Sequence, residues 1–369
     1  MIRRISKIIR NVTELVLYSV TVIAAAALIC AYLASAVDPA SNTFFIPFGL
    51  AAPFIIGLNL LLALFWIIRW KPIAFLPVLL LAIGYGVVSR HIQLPVLKQY
   101  EKRTSADIDV TTYNVHIFRD ADWNGSIDSI AKYIKTTDPD ILAIQEYYAS
   151  SSMPADTIGT IMGGYPYFKT FYIRSEPGSG VGYGLALYSR HKILRSEEIV
   201  FENESNGAMY ADMIIEGDTV RVFNCHMQTT DVNNNDIALV EGVENESQIE
   251  MKAGLKRIMG KLRNNGIKRA AQADIVAGYV QSSPYPVILC GDFNDVPASY
   301  TYKKLSQGLK DGFKAAGRGY AHSFRELHSL FNVDYVFYTP TSFECIRYNS
   351  PSLPFSDHNP VTVRLRKAK

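Results

Sequence analysis

The chain has 369 residues and a formal net charge of +3, and this length allows more than one domain. Residues 1–103 carry ten of the 37 basic residues but only three of the 34 acidic ones, so residues 104–369 are slightly acidic. That charge argues against avid, non-specific binding of the C-terminal part to a DNA backbone. Four cysteines without CxxC or Cys/His spacing are too few for a disulfide scaffold and give no sign of a zinc site.

The first 90 residues are mostly apolar and are predicted to form a membrane region (1–90). No charged residue interrupts its three long apolar stretches, which cover about 15–36, 44–68 and 72–88. Each stretch is close to the ~20 residues that a helix needs to cross about 30 Å of hydrocarbon. We therefore predict three transmembrane helices, which attach the protein to a lipid bilayer, and a linker over 91–105.

The charges that flank these stretches predict the orientation of the membrane region. Basic residues precede the first stretch and recur at 69–71, whereas the connector VDPASNT has no Lys or Arg. This pattern predicts a cytoplasmic N-terminus and, after three crossings, a C-terminal domain outside the cytoplasm. The first stretch also resembles a cleavable signal that ends at ASA (34–36), and this alternative leaves the domain on the same side.

Residues 106–369 have the composition of a soluble domain. Short apolar runs alternate with helical stretches such as 126–136 and 269–281, which indicates an α/β domain. Polar residues of unusual kinds stand where several apolar runs begin or end: Asn114, Glu146, His226, Asp292, Asn294, Asp334, Asp357 and His358. Taken singly, each is explained by a turn, a helix cap or a surface acid.

In combination, these residues suit the hydrolysis of a phosphate ester. Carboxylate and amide oxygens are hard ligands of the kind that Mg²⁺ prefers. An acid or a histidine can position the attacking water while another group protonates the leaving oxygen.

The order of the motifs TYNVHIF, DILAIQE, GLALYSRHKI, FNCHMQT, ILCGDFND, VDYVFY and SDHNPV resembles that of the endonuclease/exonuclease/phosphatase superfamily. The resemblance covers about residues 107–366. It implies a four-layer α/β sandwich, in which two mixed sheets are flanked by helices. It also implies a hydrolase that acts on phosphate esters with Mg²⁺, or with Mn²⁺ as the other candidate ion.

The resemblance assigns a role to each of these residues. Glu146 resembles the main metal ligand, with Asn114 beside it and Asp357 near the metal. The other five resemble catalytic residues. Asp292 and Asn294 would orient the attacking water and the phosphate, and Asp295 would only turn the chain away. His226 would contact the phosphate or help the leaving group, and Asp334 would orient His358 next to the reacting phosphate.

Three positions depart from the family pattern. His116 stands where some members have an acid or Asn, so it is a structural variant or an extra phosphate contact. Gly182 and Gly184 stand near the place of an acidic partner, which leaves the partner of His226 unidentified. Asn332-Val333 replaces an Arg that often precedes the following strand.

An insertion at about 230–266 contains MKAGLKRIMGKLRNN (251–265), which has the pattern of a basic amphipathic helix. Such a helix would lie on a membrane surface, cover the substrate entrance, or simply pack against the domain. The substrate also stays open between a lipid head group, a nucleotide and nucleic acid.

Three functions are compatible with the sequence. The first is a membrane-anchored, Mg²⁺-dependent phosphoesterase that acts outside the cytoplasm. The second is an extracytoplasmic nuclease, and the third is a catalytically silent membrane scaffold. The presence of Glu146, Asp292 and His358 speaks against the scaffold.

Overall fold

The computed structural model describes residues 2–94, 102–175, 181–201, 205–232 and 248–368. The N-terminal region is helical and ends in a short strand, β1 (Ile92–Gln93). Its helices are α1 (Ile2–Ala34), α2 (Ile46–Leu50), α3 (Ala52–Ile68), α4 (Phe75–Ile83) and α5 (Tyr85–His91).

Among the described residues, only one of the three predicted transmembrane segments forms a single helix that is long enough and apolar enough to cross a membrane. It is the part of α1 from Ile9 to Ala34, 26 residues long. The second apolar segment bends by 65° between α2 and α3, and the third bends by 73° between α4 and α5. At the first bend, Pro53 has no N–H to continue the hydrogen bonds of α2 into α3. At the second bend, Gly84 lies against the ring of Tyr32, and a Cβ on residue 84 would overlap that ring. The prediction of three transmembrane helices is therefore corrected: one helix is long and apolar enough by itself, and each bent pair is so only when its two helices are taken as one span.

The C-terminal domain contains two six-stranded sheets. The first has the order β13-β14-β2-β3-β5-β4, and the second has the order β10-β12-β9-β8-β7-β6. Strands of the first sheet are β2 (Asp107–Asn114), β3 (Ile141–Ala149), β4 (Tyr167–Ser175), β5 (Gly182–Ser189), β13 (Phe343–Asn349) and β14 (Val361–Lys367). Strands of the second are β6 (Ile193–Val200), β7 (Gly207–Ile215), β8 (Asp218–His226), β9 (Val287–Asp292), β10 (Lys310–Asp311) and β12 (Asp334–Tyr338). Each sheet is mixed, because β2–β3 and β8–β9 are parallel pairs among antiparallel ones.

The two sheets pack face to face over an apolar core that includes Val110, Leu187, Met213, Val222 and Ile288. Helices cover both outer faces of this pair of sheets. On the first sheet lie α6 (Ile127–Thr137) and α7 (Ala155–Ile161), and on the second lie α8 (Gln248–Gln281) and α9 (Tyr300–Leu305). Shorter elements complete the domain: α10 (Gly312–Ala316), β11 (Gly319–Tyr320) and α11 (Glu326–Ser329). This arrangement confirms the predicted α/β sandwich of two mixed sheets flanked by helices.

The N-terminal region packs directly on the domain, beside the loop that follows β9. A Cβ on Gly49 of α2 would lie 2.6 Å from the Ala298 carbonyl oxygen, and Ala298 belongs to the apolar cluster formed by α1 and α3. Arg90 Nη1 donates to the Pro297 carbonyl oxygen at 3.0 Å. We call this contact the docking seam. Part of the predicted linker belongs to the docking seam, because β1 pairs antiparallel with β11. Residues 95–101 of the predicted linker lie outside the described residues.

Candidate active site

The predicted site residues meet because the strands that carry them end at the same edge of the sandwich. Asn114 and Gln145 are register partners in the parallel pair β2–β3, and His226 and Asp292 are partners in β8–β9. A hydrogen bond of 3.0 Å from Asn114 Nδ2 to Asp292 Oδ2 joins the two sheets at this edge. The strand ends of both sheets therefore converge on one point.

Asp292 is the buried centre of this group. Its carboxylate also accepts hydrogen bonds from the Asn294 backbone N–H at 2.8 Å and from Asn294 Nδ2 at 3.1 Å. Burial raises the pKa of Asp292 to about 6, because a low-dielectric surrounding disfavours the charged form. The carboxylate is therefore mostly ionised at pH 7 and is basic enough to take a proton.

Two histidines face this carboxylate. His358 Nδ1 is hydrogen-bonded to Asp334 Oδ2 at 2.8 Å, and His358 Nε2 lies 3.7 Å from Asp292 Oδ2. Burial alone would lower the pKa of His358, but nearby carboxylates, Asp334 first, outweigh it and raise that pKa well above the usual value. Burial does lower the pKa of His226, whose Nε2 lies 3.8 Å from Asp292 Oδ2. These opposite shifts favour the charged form of His358 and the neutral form of His226.

The predicted metal ligands lie beside this group and fit a hard divalent cation. Asn114 Nδ2 donates to Glu146 Oε1 at 3.1 Å. Burial raises the pKa of Glu146, and the negative charge of Asp357 raises it further. A bound cation would favour the charged form of Glu146, and oxygen is the donor that Mg²⁺ prefers.

Among the described residues, Asp292, Asp334 and His358 also bring one ligand atom each within 4.8 Å of one another. The hydrogen bond between His358 and Asp334 already occupies Nδ1 and one carboxylate oxygen. This trio therefore suits proton transfer better than metal binding, and the Glu146 side of the site suits the ion better.

The backbone conformation at the strand ends aims these side chains. The pairing of β3 with β5 shifts register between Ile144 and Tyr147, and Glu146 within this bulge has φ 50°. Bulges re-aim side chains in this way. Gly291 precedes Asp292 with φ 145°, and a Cβ there would overlap the backbone oxygen of Cys225 on β8.

A buried polar bridge fixes the spacing of the two sheets behind the site. Asn224 Nδ2 donates to the carbonyl oxygens of Ile144 and Ala186, both at 2.9 Å. Gln145 Nε2 donates to Asn224 Oδ1 at 2.6 Å and to Thr112 Oγ1 at 2.9 Å. Because unpaired buried polar groups are costly, these bonds hold one relative position of the sheets.

A cavity of about 620 Å³ opens in front of these residues. Its reactive end is lined by predicted site residues: Glu146, Asp292, Asn294, Asp357 and His358. His116 lines it too, and its ring packs edge-on against Trp123, which is 60% exposed. His116 thus faces the space for a substrate, in agreement with the second of its two predicted roles.

Several residues of the site were not predicted from the sequence. Arg269 of α8 lines the cavity and its Nε lies 3.1 Å from Asp295 Oδ2, so Asp295 does more than turn the chain. Ser356 Oγ donates to the Asn114 carbonyl oxygen at 2.8 Å and accepts from the His358 N–H. The N–H of His358 and the hydroxyl of Ser356 thus close a serine turn. A serine two residues before a histidine has the spacing of this turn, and that spacing is the sequence signal that could have identified Ser356. The partner of His226 stays unidentified, since its Nδ1 has no hydrogen-bond partner among the described residues.

The family model of the Endonuclease/Exonuclease/phosphatase family matches residues 111–358. This match covers more than half of the chain, and the chain therefore belongs to that family. A second model, of a domain of unknown function (DUF8431), matches residues 14–91, which is the N-terminal helical region. No curated protein matches the chain in sequence.

Solved structures share the fold of the domain. An endonuclease/exonuclease/phosphatase from Beutenbergia cavernae has a TM-score of 0.50 and 19% identity, over 71% of this chain and 72% of that one. The human Nocturnin catalytic domain has a TM-score of 0.50 and 17% identity, over 72% of this chain and 97% of that one. At these identities the likeness supports the fold alone.

Proposed function

We propose that this protein is a membrane-anchored, Mg²⁺-dependent phosphoesterase whose domain works outside the cytoplasm. Family members are typically hydrolases of phosphoester bonds, and the family is generally dependent on divalent metals. The observation that carries the proposal is the convergence of the His358–Asp334 pair and His226 on Asp292, beside a cavity that Asp292 and His358 line.

The side chains divide the work according to their charge. Asp292 accepts the proton of the attacking water, and Asn294, which is bonded to it, orients the water and the phosphate. His358 is held by Asp334 with Nε2 towards Asp292, so it stabilises charge on the phosphate and supplies a proton to the leaving oxygen. His226, whose lowered pKa favours the neutral form, contacts the phosphate as a hydrogen-bond partner. Glu146, Asn114 and Asp357 would hold the Mg²⁺ ion, which neutralises phosphate charge when bound.

The proposed anchor crosses the membrane three times if each bent pair forms one span. Arg69 and Lys71, which follow α3, pair with Glu14 near the start of α1 at 2.9 and 3.1 Å. The other ends of these helices meet the domain at the docking seam. Arg69 and Lys71 thus lie at the end of the helices away from the domain, and the positive-inside rule puts that end in the cytoplasm.

The test is hydrolysis by the full chain in lipid nanodiscs, with Mg²⁺ and with a chelator. The substrates are bis-p-nitrophenyl phosphate, p-nitrophenyl phosphate and plasmid DNA. The informative variant is His358→Asn, whose amide nitrogen can still donate to Asp334 and so avoids an unpaired buried charge. We expect the chelator to abolish turnover and His358→Asn to lower kcat by about a hundredfold or more.

His191→Ala is the matched control, because His191 is a half-buried histidine outside the cavity. We expect it to retain wild-type turnover. Full activity of a folded His358→Asn variant would overturn the proposed mechanism. Efficient cleavage of plasmid DNA would instead support the nuclease alternative.

A further inference from the structure

The cavity does not end at the reacting groups but continues into the docking seam. Its far wall consists of aliphatic residues from the N-terminal helices and α8. We call this part the apolar arm, and it is formed by Ala34, Ile46, Leu50, Ile258 and Leu262. One continuous space of about 620 Å³ therefore joins the phosphoesterase site to an apolar surface, and this volume lies in the range of sites that bury whole small molecules.

The apolar arm lies where a membrane surface would be. Ala34 is the last residue of the helix that is long and apolar enough to cross a membrane, and it lines the arm. The 26 residues from Ile9 to Ala34 measure about 39 Å along a helix axis, somewhat more than the hydrocarbon core of a bilayer. Ala34 is therefore placed at the boundary between hydrocarbon and water, where the phosphates of membrane lipids lie.

The chemistry of the arm also selects the kind of substrate group. All five of its side chains are aliphatic and therefore suit a methylene chain. The same cavity is also lined by aromatic side chains, among them Trp123 beside His116 and Phe324 beside His358. The neighbouring contact is tight, since a Cβ on Gly266 of α8 would lie 2.9 Å from Ile46 Cδ1. Helix α8 and helix α2 thus close over this space from two sides.

We propose that the substrate is the phosphate ester of a membrane lipid, with its phosphate at Asp292 and His358 and part of its hydrocarbon in the apolar arm. This inference rests on the proposed function. Water adds to phosphorus, the bond between phosphorus and the leaving oxygen breaks, and the proton from water ends on that oxygen. The products are an alcohol and a phosphate, and no other reactant is needed.

The test compares ethyl, hexyl and dodecyl p-nitrophenyl phosphate as substrates of the full chain in nanodiscs. We expect kcat/KM to rise along the series, by up to about fourfold for each CH₂ group that enters the arm. Long chains also partition into the bilayer, so a preference for dodecyl alone does not identify the arm. The decisive quantity is the dodecyl-to-ethyl ratio of kcat/KM in variants.

Ile258→Glu puts a carboxylate into the arm from α8, and Leu50→Glu does so from α2. Both positions are half-buried, so the domain tolerates the charge. Each variant should lower the dodecyl-to-ethyl ratio about tenfold or more, since a charge beside hydrocarbon is unfavourable. The ethyl ester carries the same phosphate group, so the ratio cancels the repulsion between that phosphate and the introduced glutamate. Leu194→Glu, on β6 and outside the cavity, should keep the wild-type ratio.

Equal kcat/KM along the series would overturn the inference, and so would a dodecyl preference that neither arm variant changes. If none of the three esters is hydrolysed, the proposed function fails, and the arm is then tested by binding. In that case we expect dodecyl phosphate to bind more tightly than ethyl phosphate by calorimetry, with a preference that Ile258→Glu removes. Binding that Ile258→Glu leaves unchanged would overturn the inference.

Discussion

His116, Glu146 and Asn294 all have left-handed backbone conformations, with φ of 46°, 50° and 51°. Such a conformation costs a residue with a side chain about 1–2 kcal/mol. At Asn294 the cost is offset by the hydrogen bond from its N–H to Asp292 Oδ1, and at Glu146 by the surrounding β3–β5 ladder. All three of these residues line the cavity.

Asn294→Gly separates the backbone contribution of this residue from that of its side chain. Glycine accepts φ 51° without strain, so we expect the free energy of unfolding to stay within about 1 kcal/mol of wild type. Loss of the amide should nevertheless lower kcat about tenfold or more. Unfolding and turnover of bis-p-nitrophenyl phosphate are the two measurements. Glu216→Gly, in the β7–β8 turn with φ 48°, is the control that should keep full activity, and retained activity of Asn294→Gly would show that the amide is dispensable.

That the eight candidate site residues lie close together could be predicted from the sequence, but their conformations could not. Carboxylates, amides and histidines at the ends of apolar runs signalled strand ends that meet, and all eight predicted residues do meet. The bulge at Glu146 arises from pairing with β5, a partner that is distant in the chain and leaves no local pattern. The role of Asp295 depends on Arg269, which lies on another element.

At the scale of elements, β9 shows how a strand can be both buried and reactive. All six of its residues are buried, and it pairs parallel with β8 and antiparallel with β12. Its neighbours thus deliver His226 and Asp334 to either side of Asp292. Strands were predictable from alternation and from apolar runs, whereas the bends at Ala51 and Gly84 were not, because apolarity alone does not distinguish a straight helix from a bent pair.

Gly291→Ala should disrupt this strand end. At φ 145° a Cβ is strained, and it would also overlap the backbone of Cys225, so we expect a loss of about 2 kcal/mol or more in the free energy of unfolding. Gly260→Ala in α8 is the matched control, because a Cβ there meets nothing within 4 Å and alanine favours a helix. Chemical denaturation of both variants tests this, and equal midpoints would contradict the account of β9.

At the scale of the molecule, the N-terminal region and the domain form one unit at the docking seam. The seam joins Gly49 to Ala298 and β1 to β11. Neither contact was predicted, because glycine and alanine in an apolar stretch give no sign of the surface that they approach. Phe324, just beyond β11, forms an isolated bridge with His358, so the seam lies within a few residues of both loops that carry the reacting groups.

The proposed three crossings put Trp70 and the domain on opposite sides of the membrane. Trp70 is 94% exposed beside the turn after α3, and Leu194 is 52% exposed on the domain. In a Cys30→Ser background, a membrane-impermeant maleimide added to intact cells should label Leu194→Cys but not Trp70→Cys. Permeabilised cells should label both. Labelling of Trp70→Cys from outside would mean that α2 and α3 turn back without crossing.

The shared cavity wall has a consequence for how this protein can be divided. Helices α1 and α2 contribute Ala34, Ile46 and Leu50 to the same cavity as Asp292, although more than 200 residues of chain lie between them. Exchanging the N-terminal region for an unrelated transmembrane helix would remove one wall of this cavity. The N-terminal region and the domain are therefore not interchangeable modules, and a chimaera would have to inherit both together.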